Sequence, residues 1–184
     1  MGRVPLLRAE DAPLLARPFY VDGDPGPIVA VLAHVPELLV VALPFFGRVL
    51  GESAVDARTK EIVILRASAV AQCRYCVDAH TLVALDAGLT AEEVRVLRDD
   101  APLAGAFAER ERALVAWVDA VAGERGPVAE STAVALRSWF ADHEVVELTL
   151  LAATTLLLNR LCTALELPSV DATLERLRDC GFGS

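Results

Sequence analysis

Three residues with chemical capacity fall within eight positions of one another: Cys73, Cys76 and His80, in the run Cys73-Arg-Tyr75-Cys76-Val-Asp-Ala-His80. On a helix beginning near Cys73 the cysteines are spaced i, i+3 and Cys76 to His80 is i, i+4, so all three share a face. That grouping suits thiol redox chemistry. A thiolate is the attacking species, and an adjacent imidazole together with a helix-end dipole lowers a cysteine pKa toward working pH. A sulfenic acid formed on one sulfur condenses with the other to a disulfide, which an outside dithiol must then reduce. Glu61 is the nearest upstream candidate for a proton relay, but twelve residues of straight helix would carry it about 18 Å from Cys73. The carboxylate can reach His80 only if the chain turns back between them, and the segment Ser68 to Gln72 is where that turn is expected.

The elements that must position these groups are all helical. After an N-terminal arm over residues 1–26, rich in proline and carrying the turn cluster Asp-Gly-Asp-Pro-Gly at 22–26, the apolar spacing is that of helices throughout. Helices are expected over Pro27 to Val35, Pro36 to Leu50 with a bend at Pro44, and Asp56 to Ala87, closed by Gly88. Thr90 and Glu93 form a capping box for a short helix toward Arg98. Further helices are expected near Ala104 to Val121, Pro127 to Phe140, Asp142 to Leu165 and Asp171 to Asp179. Strand-like alternation is absent. Setting Glu61 against Glu144 aligns Ile62, Val63, Leu65 and Ala69 with Val145, Val146, Leu148 and Ala152, an echo of two related helical halves. Leu156 and Asn159 fall where Cys73 and Cys76 would be, so only the first half carries the thiols. The fold class is therefore all-α, a single domain over residues 27–184.

Composition narrows the rest. Hydrophobic residues make up 54% of 184 residues and the mean hydropathy is +0.44. Yet the apolar stretch Pro27 to Phe46 is interrupted by His34, Pro36, Glu37 and Pro44, and Leu148 to Leu158 is short for a span, so the expectation is a soluble chain and no membrane partner. Surplus apolar surface on a helical protomer predicts a homo-oligomer. A net charge of −9 with scattered basic residues argues against nucleic acid. Arg8, Glu10 and Asp11 precede any long apolar leader, Gly2 lacks a Ser or Thr at position 6, and a cytoplasmic location is expected. Four cysteines with one close pair do not make a secreted disulfide framework.

The pattern of Glu61, then Cys73-x-Tyr75-Cys76 twelve residues on, then His80, resembles the alkylhydroperoxidase D-like (AhpD-like) branch of the carboxymuconolactone decarboxylase family. The likeness runs over residues 58–96. It implies an AhpD-like helical bundle assembling as trimers or hexamers, with a dimer as the alternative. It also implies reduction of a hydroperoxide substrate by the Cys73/Cys76 pair and regeneration by a dihydrolipoamide- or thioredoxin-like dithiol, an antioxidant activity with no cofactor. By position it makes Cys76 the thiolate activated by His80 and Glu61, and Cys73 its disulfide partner. Where some members carry His between the cysteines, this chain has Tyr75, a second-layer candidate that could wall the site or donate its hydroxyl. The decarboxylase branch typically lacks the cysteine pair.

Blander readings compete with each residue. The cysteines could be small buried hydrophobes. Zinc would need a fourth ligand from Glu61, Cys162 or Cys180, and covalent haem is excluded because Val77 stands where a His is required. Glu61 could be a surface charge paired with Arg58 or Lys60. His34 and His143 have no reactive neighbour, Cys162 and Cys180 read as structural, and Arg66 and Asn159 as internal polar contacts. Two other functions stay open: a non-enzymatic thiol sensor or assembly protein, and a cofactorless lyase or isomerase using His80 and Glu61 as acid and base.

Overall fold

A computed structural model of the chain describes residues 2–21, 23–99, 105–124 and 126–183. Among them there is no strand. Nine α-helices follow in order: α1 (Pro27–Leu32), α2 (Pro36–Leu50), α3 (Ala57–Val70), α4 (Arg74–Asp86), α5 (Ala91–Leu97), α6 (Glu109–Gly123), α7 (Glu130–Arg137), α8 (Asp142–Ala164) and α9 (Asp171–Asp179). The boundaries follow local chemistry. Asp56 caps α3 by accepting from the Thr59 amide at 2.8 Å, and Thr90 with Glu93 closes the expected capping box on α5. Glu111 reaches back to the Ala108 amide at 3.3 Å to start α6. The expected start of that helix at Ala104 lies outside the described residues, as does Asp22 of the turn cluster. Pro44 lies within α2 without ending it. Its missing N–H leaves the Val40 carbonyl without an intrahelical donor, on a partly exposed face of the helix.

The apolar pattern over Asp56 to Ala87 is two helices, broken in the Ser68 to Gln72 segment where the turn is expected. α3 ends at Ala71 and Gln72 takes a left-handed conformation (φ 54°), while the Gln72 amide donates to Ala69 and the Cys73 amide to Ser68 at 2.9 and 3.0 Å. This paired closure is the Schellman arrangement, made here with Gln at the position that favours Gly. It reverses the chain so that α4 runs back along α3. The position aligned with this turn in α8 stays helical, so α8 continues unbroken to Ala164.

The central helix is α3, packed on α4, α5, α6 and α8. Ile62, Val63, Ile64, Leu65 and Ala67 are buried, with Leu114, Val118, Leu148 and Leu151 in the same core cluster. Each fully buried Leu contributes about 1.5–3 kcal/mol. A helix surrounded on all sides must partner every charge it carries. Arg58 pairs with Glu93 and Glu111 and Arg66 with Asp99 and Asp119. Buried Lys60 donates to the Val49 and Gly51 carbonyls at the end of α2, at 3.0 and 2.6 Å, and to Glu147 at 2.9 Å. We expect Lys60→Met to lower unfolding free energy by about 2–3 kcal/mol in urea titrations, since it removes the donor to two carbonyls and the cation beside Glu147, which keeps its bond from Ser53.

α8 matches the expected Asp142 to Leu165 to within a residue, and by length and composition its 23 residues could cross a membrane. Here it packs against α2, α3, α4, α6 and α7, and its inward face includes the buried polar residues Thr154, Thr155 and Asn159. The N-terminal arm is mostly irregular, with single 3₁₀ turns at Ala9–Asp11 and Arg17–Tyr20. Ala12, Ala16 and Tyr20 cluster with Ala33 and Leu39, and the Tyr20 hydroxyl donates to the Leu7 carbonyl at 3.0 Å. His34 Nε2 bonds the Pro5 carbonyl at 2.8 Å, tying the arm to the end of α1. α7 is shorter than the expected Pro127 to Phe140.

Candidate active site

The reversal at Gln72 gives α3 and α4 a shared face. Glu61, near the start of α3, meets His80, in the middle of α4: Glu61 Oε2 lies 2.9 Å from His80 Nδ1. Glu61 is 6% exposed, so its carboxylate is committed to the imidazole and not to Arg58 or Lys60, whose partners lie elsewhere. A carboxylate on Nδ1 fixes the ring orientation and the tautomer, and leaves the other ring nitrogen for chemistry.

Cys73 is the N-cap of α4 and Cys76 lies one turn in. Their sulfurs are 2.7 Å apart, farther than a covalent disulfide of about 2.0 Å yet close enough to form one with little backbone movement. Both thiols are free and buried. Only Cys76 reaches the cavity that also holds His80, a space of about 110 Å³ walled by Ile28, Leu50, Ile64, Tyr75 and Leu158. Cys73 lies behind it, packed with Val31, Leu167 and Cys162.

Cys162, read from sequence as structural, completes a cluster. The sulfurs of Cys73, Cys76 and Cys162 all lie within 4.8 Å of one another and all three residues are buried. Cys162 comes from the last turn of α8, where no local signal ties it to the pair. Hydrogen bonding from Cys162, then from Cys76, holds the Cys73 thiol far below the ordinary range, against the effect of burial. For Cys76 the bond with Cys162 pulls down, but its bond to Cys73 and its burial together push it up. Cys162 is raised, chiefly by its bonds to Cys73 and Cys76 and by burial. These directions, with the place of Cys73 at the positive end of α4, favour ionisation at Cys73 over Cys76, whereas the family resemblance assigned the thiolate to Cys76. At 2.7 Å a proton can pass between the two sulfurs.

Two polar residues complete the cavity. Asn159, fully buried, donates to the Ser68 hydroxyl at 3.0 Å, and its Oδ1 has no protein donor among the described residues. Hydrogen bonding from Asn159 also draws the Cys76 thiol down. The expected internal polar contact of Asn159 is its bond to Ser68 in the core, though its place beside the thiols was not foreseen. The signal was its position: an amide inside the most apolar helix of the chain. Tyr75 is pushed up to about 12 by burial first and then by the thiol cluster, so its hydroxyl stays a protonated donor. We expect Asn159→Leu to shift Cys76 ionisation to higher pH and to slow iodoacetamide labelling at neutral pH about 10-fold. Cys180 is exposed and distant from this cluster by sequence and by burial.

Comparison with known proteins bears on the frame that carries this site. Residues 36–120 match the model of the carboxymuconolactone decarboxylase family. No curated protein matches the sequence. Among solved structures, the chain resembles an alkylhydroperoxidase AhpD core, a peroxidase-related protein from Ralstonia eutropha JMP134, with a TM-score of 0.82, 20% identity and 94% of each chain covered. It also resembles the debrominase Bmp8, with a TM-score of 0.77 and 20% identity over 95% of each chain. A protein of unknown function from Agrobacterium tumefaciens, linked by name to the antioxidant defence protein AhpD, aligns with a TM-score of 0.68 and 25% identity over 76% of this chain and 95% of its own. The matched residues 36–120 contain the thiol pair and the Glu61–His80 contact, so the site lies in the part of the chain that is similar to the carboxymuconolactone decarboxylase family, and the whole chain has an AhpD-like all-helical fold.

Proposed function

We propose that this chain is a thiol-dependent hydroperoxide reductase of the alkylhydroperoxidase type. The observation that carries the reading is the meeting, at one apolar cavity, of Cys76, with Cys73 at 2.7 Å behind it, and His80, held by Glu61 at 2.9 Å. Cys76 attacks the distal oxygen of a hydroperoxide, the O–O bond breaks, and the alcohol leaves with a proton supplied through His80. Cys73 then attacks the sulfenic acid on Cys76, expelling water and forming the disulfide. A dithiol of the dihydrolipoamide or thioredoxin class returns the pair to thiols. Two thiols and one peroxide give one disulfide, one alcohol and one water, so no cofactor is required.

The walls support an organic substrate. Ile28, Leu50, Tyr75 and Leu158 line both the thiol cavity and an adjoining groove against α2, so an alkyl or aryl group has apolar surface to occupy. The same two-electron thiol chemistry would serve reductive dehalogenation, and the apolar wall admits a halogenated aromatic too, as the likeness to Bmp8 makes worth testing. The assay offers reduced protein tert-butyl hydroperoxide and, separately, a bromopyrrole, first at single turnover and then with excess dithiol. Repeated thiol-dependent loss of peroxide is the expected result. Disulfide formation without repeated turnover would favour a redox sensor or assembly role.

The homo-oligomer expected from composition has a candidate face. Leu38, Val41 and Phe45 of α2 and Leu157 of α8 are exposed and line one apolar groove. We place a second copy of the chain there, in a trimer or hexamer working in the cytoplasm. Val41→Asp should then shift the protein to monomer in sedimentation or light-scattering measurements.

A further inference from the structure

The peroxidase cycle uses two thiols, and the structure holds a third within reach. The sulfurs of Cys73, Cys76 and Cys162 all fall within 4.8 Å of one another, although Cys162 comes from α8, far along the chain from the pair. Their burial differs in a telling way. Cys76 lines the substrate cavity, while Cys73 and Cys162 are each 1% exposed and are covered by Val4 and Leu6 of the N-terminal arm together with Leu165 and Leu167.

A three-thiolate metal site is the competing use of such a cluster. Zinc takes four ligands, and the cluster offers three sulfurs with no fourth His, Cys, Asp or Glu beside them among the described residues. A disulfide needs no partner beyond the sulfurs already present.

We propose that Cys162 is a third redox thiol of this centre, and that the oxidised protein transfers its disulfide from Cys73–Cys76 to Cys73–Cys162. The Cys162 sulfur, as thiolate, attacks Cys73 Sγ; the Cys73–Cys76 bond breaks, and Cys76 departs as thiolate and takes up the proton that Cys162 released. No electrons enter or leave, so the exchange needs no further oxidant. Its consequence is that the oxidising equivalent is stored behind the cavity, away from bulky reductants, while Cys76 is again free at the cavity wall. The reverse exchange returns the disulfide to Cys76, where an incoming dithiol can attack.

The inference rests on the dithiol reading of Cys73 and Cys76 but not on hydroperoxide as the oxidant, so diamide is the probe. Full-length protein carrying Cys180→Ser, to remove the exposed thiol, is oxidised, quenched in acid, denatured, alkylated and mapped without reduction. The expected result is a mixture of Cys73–Cys76 and Cys73–Cys162 bridges. Adding Cys76→Ser should give Cys73–Cys162 alone, with both thiols lost to alkylation. A Cys73–Cys76 bridge with Cys162 fully alkylated would overturn the inference and leave the dithiol reading intact. Absence of any bridge would sink the dithiol reading itself, and the third thiol with it. Because the Cys180→Ser protein keeps all three clustered cysteines, the result does not depend on a core variant folding.

Discussion

Under the proposed hydroperoxide cycle, Cys76→Ser is expected to eliminate dithiol-driven turnover, by on the order of 10⁴-fold or more, because it removes the only sulfur of the pair that lines the cavity. Cys73→Ser behaves differently. Cys76 still meets the peroxide, so one equivalent is consumed per chain, but the disulfide that returns the enzyme is lost and steady-state turnover falls by about 10²-fold or more. The variant has a second signature. Cys76 is pushed up by its bond to Cys73, by burial and by the Cys73 charge, so removing Cys73 leaves burial as the upward influence and moves Cys76 ionisation to lower pH. Thiolate absorbance near 240 nm, followed against pH, should show its Cys76 midpoint shifted toward acid in Cys73→Ser. A midpoint that stays put would mean that the two sulfurs do not share a proton in solution. A lyase acting through His80 and Glu61 would survive both substitutions, so retained activity on a carbonyl substrate in Cys73→Ser would discard the redox mechanism altogether.

Glu61→Gln is expected to cost about 10²-fold in kcat with little change in KM. The amide preserves the shape of the contact at 2.9 Å but not its charge, so His80 loses the carboxylate that orients it. The loss belongs to the pair. A Glu61→Gln/His80→Gln double variant should be little worse than His80→Gln alone, since groups that act as a unit are not additive. Fully additive losses would show that Glu61 supports the fold and not the imidazole. Thermal unfolding of Glu61→Gln separates the two directly, because a positioning role leaves the transition near that of the parent while the rate falls.

The helices themselves were legible in the sequence because their signals are local. Asp56 before Thr59, Thr90 with Glu93, and Gly88 after a run of helical spacing each set dihedrals or satisfy a helix end within a few residues. The all-helical class and the spacing from Glu61 to the cysteines and His80 follow from the chain read linearly, and so does the requirement for a turn before Cys73, since a straight helix could not bring its ends together. Asp56 to Ala87 still read as one apolar pattern, because the left-handed residue that breaks it is Gln72, a type that carries no turn signal. The extent of α8, expected over Asp142 to Leu165 and found over Asp142–Ala164, was legible from its helical spacing, whereas the burial of its polar residues Thr154, Thr155 and Asn159 against other helices was not.

Tertiary structure alone decided the partners. Glu61 had three candidates in sequence, Arg58, Lys60 and His80. The buried position of α3 distributed them, sending Arg58 to Glu93 and Glu111 and Lys60 to α2 and Glu147, and leaving His80 to Glu61. The recruitment of Cys162 to Cys73 and Cys76, and of Asn159 to Ser68, depended on α8 packing against α3 and α4. Such contacts are chosen by the competition to bury apolar surface and satisfy polar groups across the whole core, which spacing along the chain does not encode. The sequence by itself determined which groups could do thiol chemistry and that they had to meet; the packing determined that the centre holds three sulfurs and an amide as well as the carboxylate and imidazole.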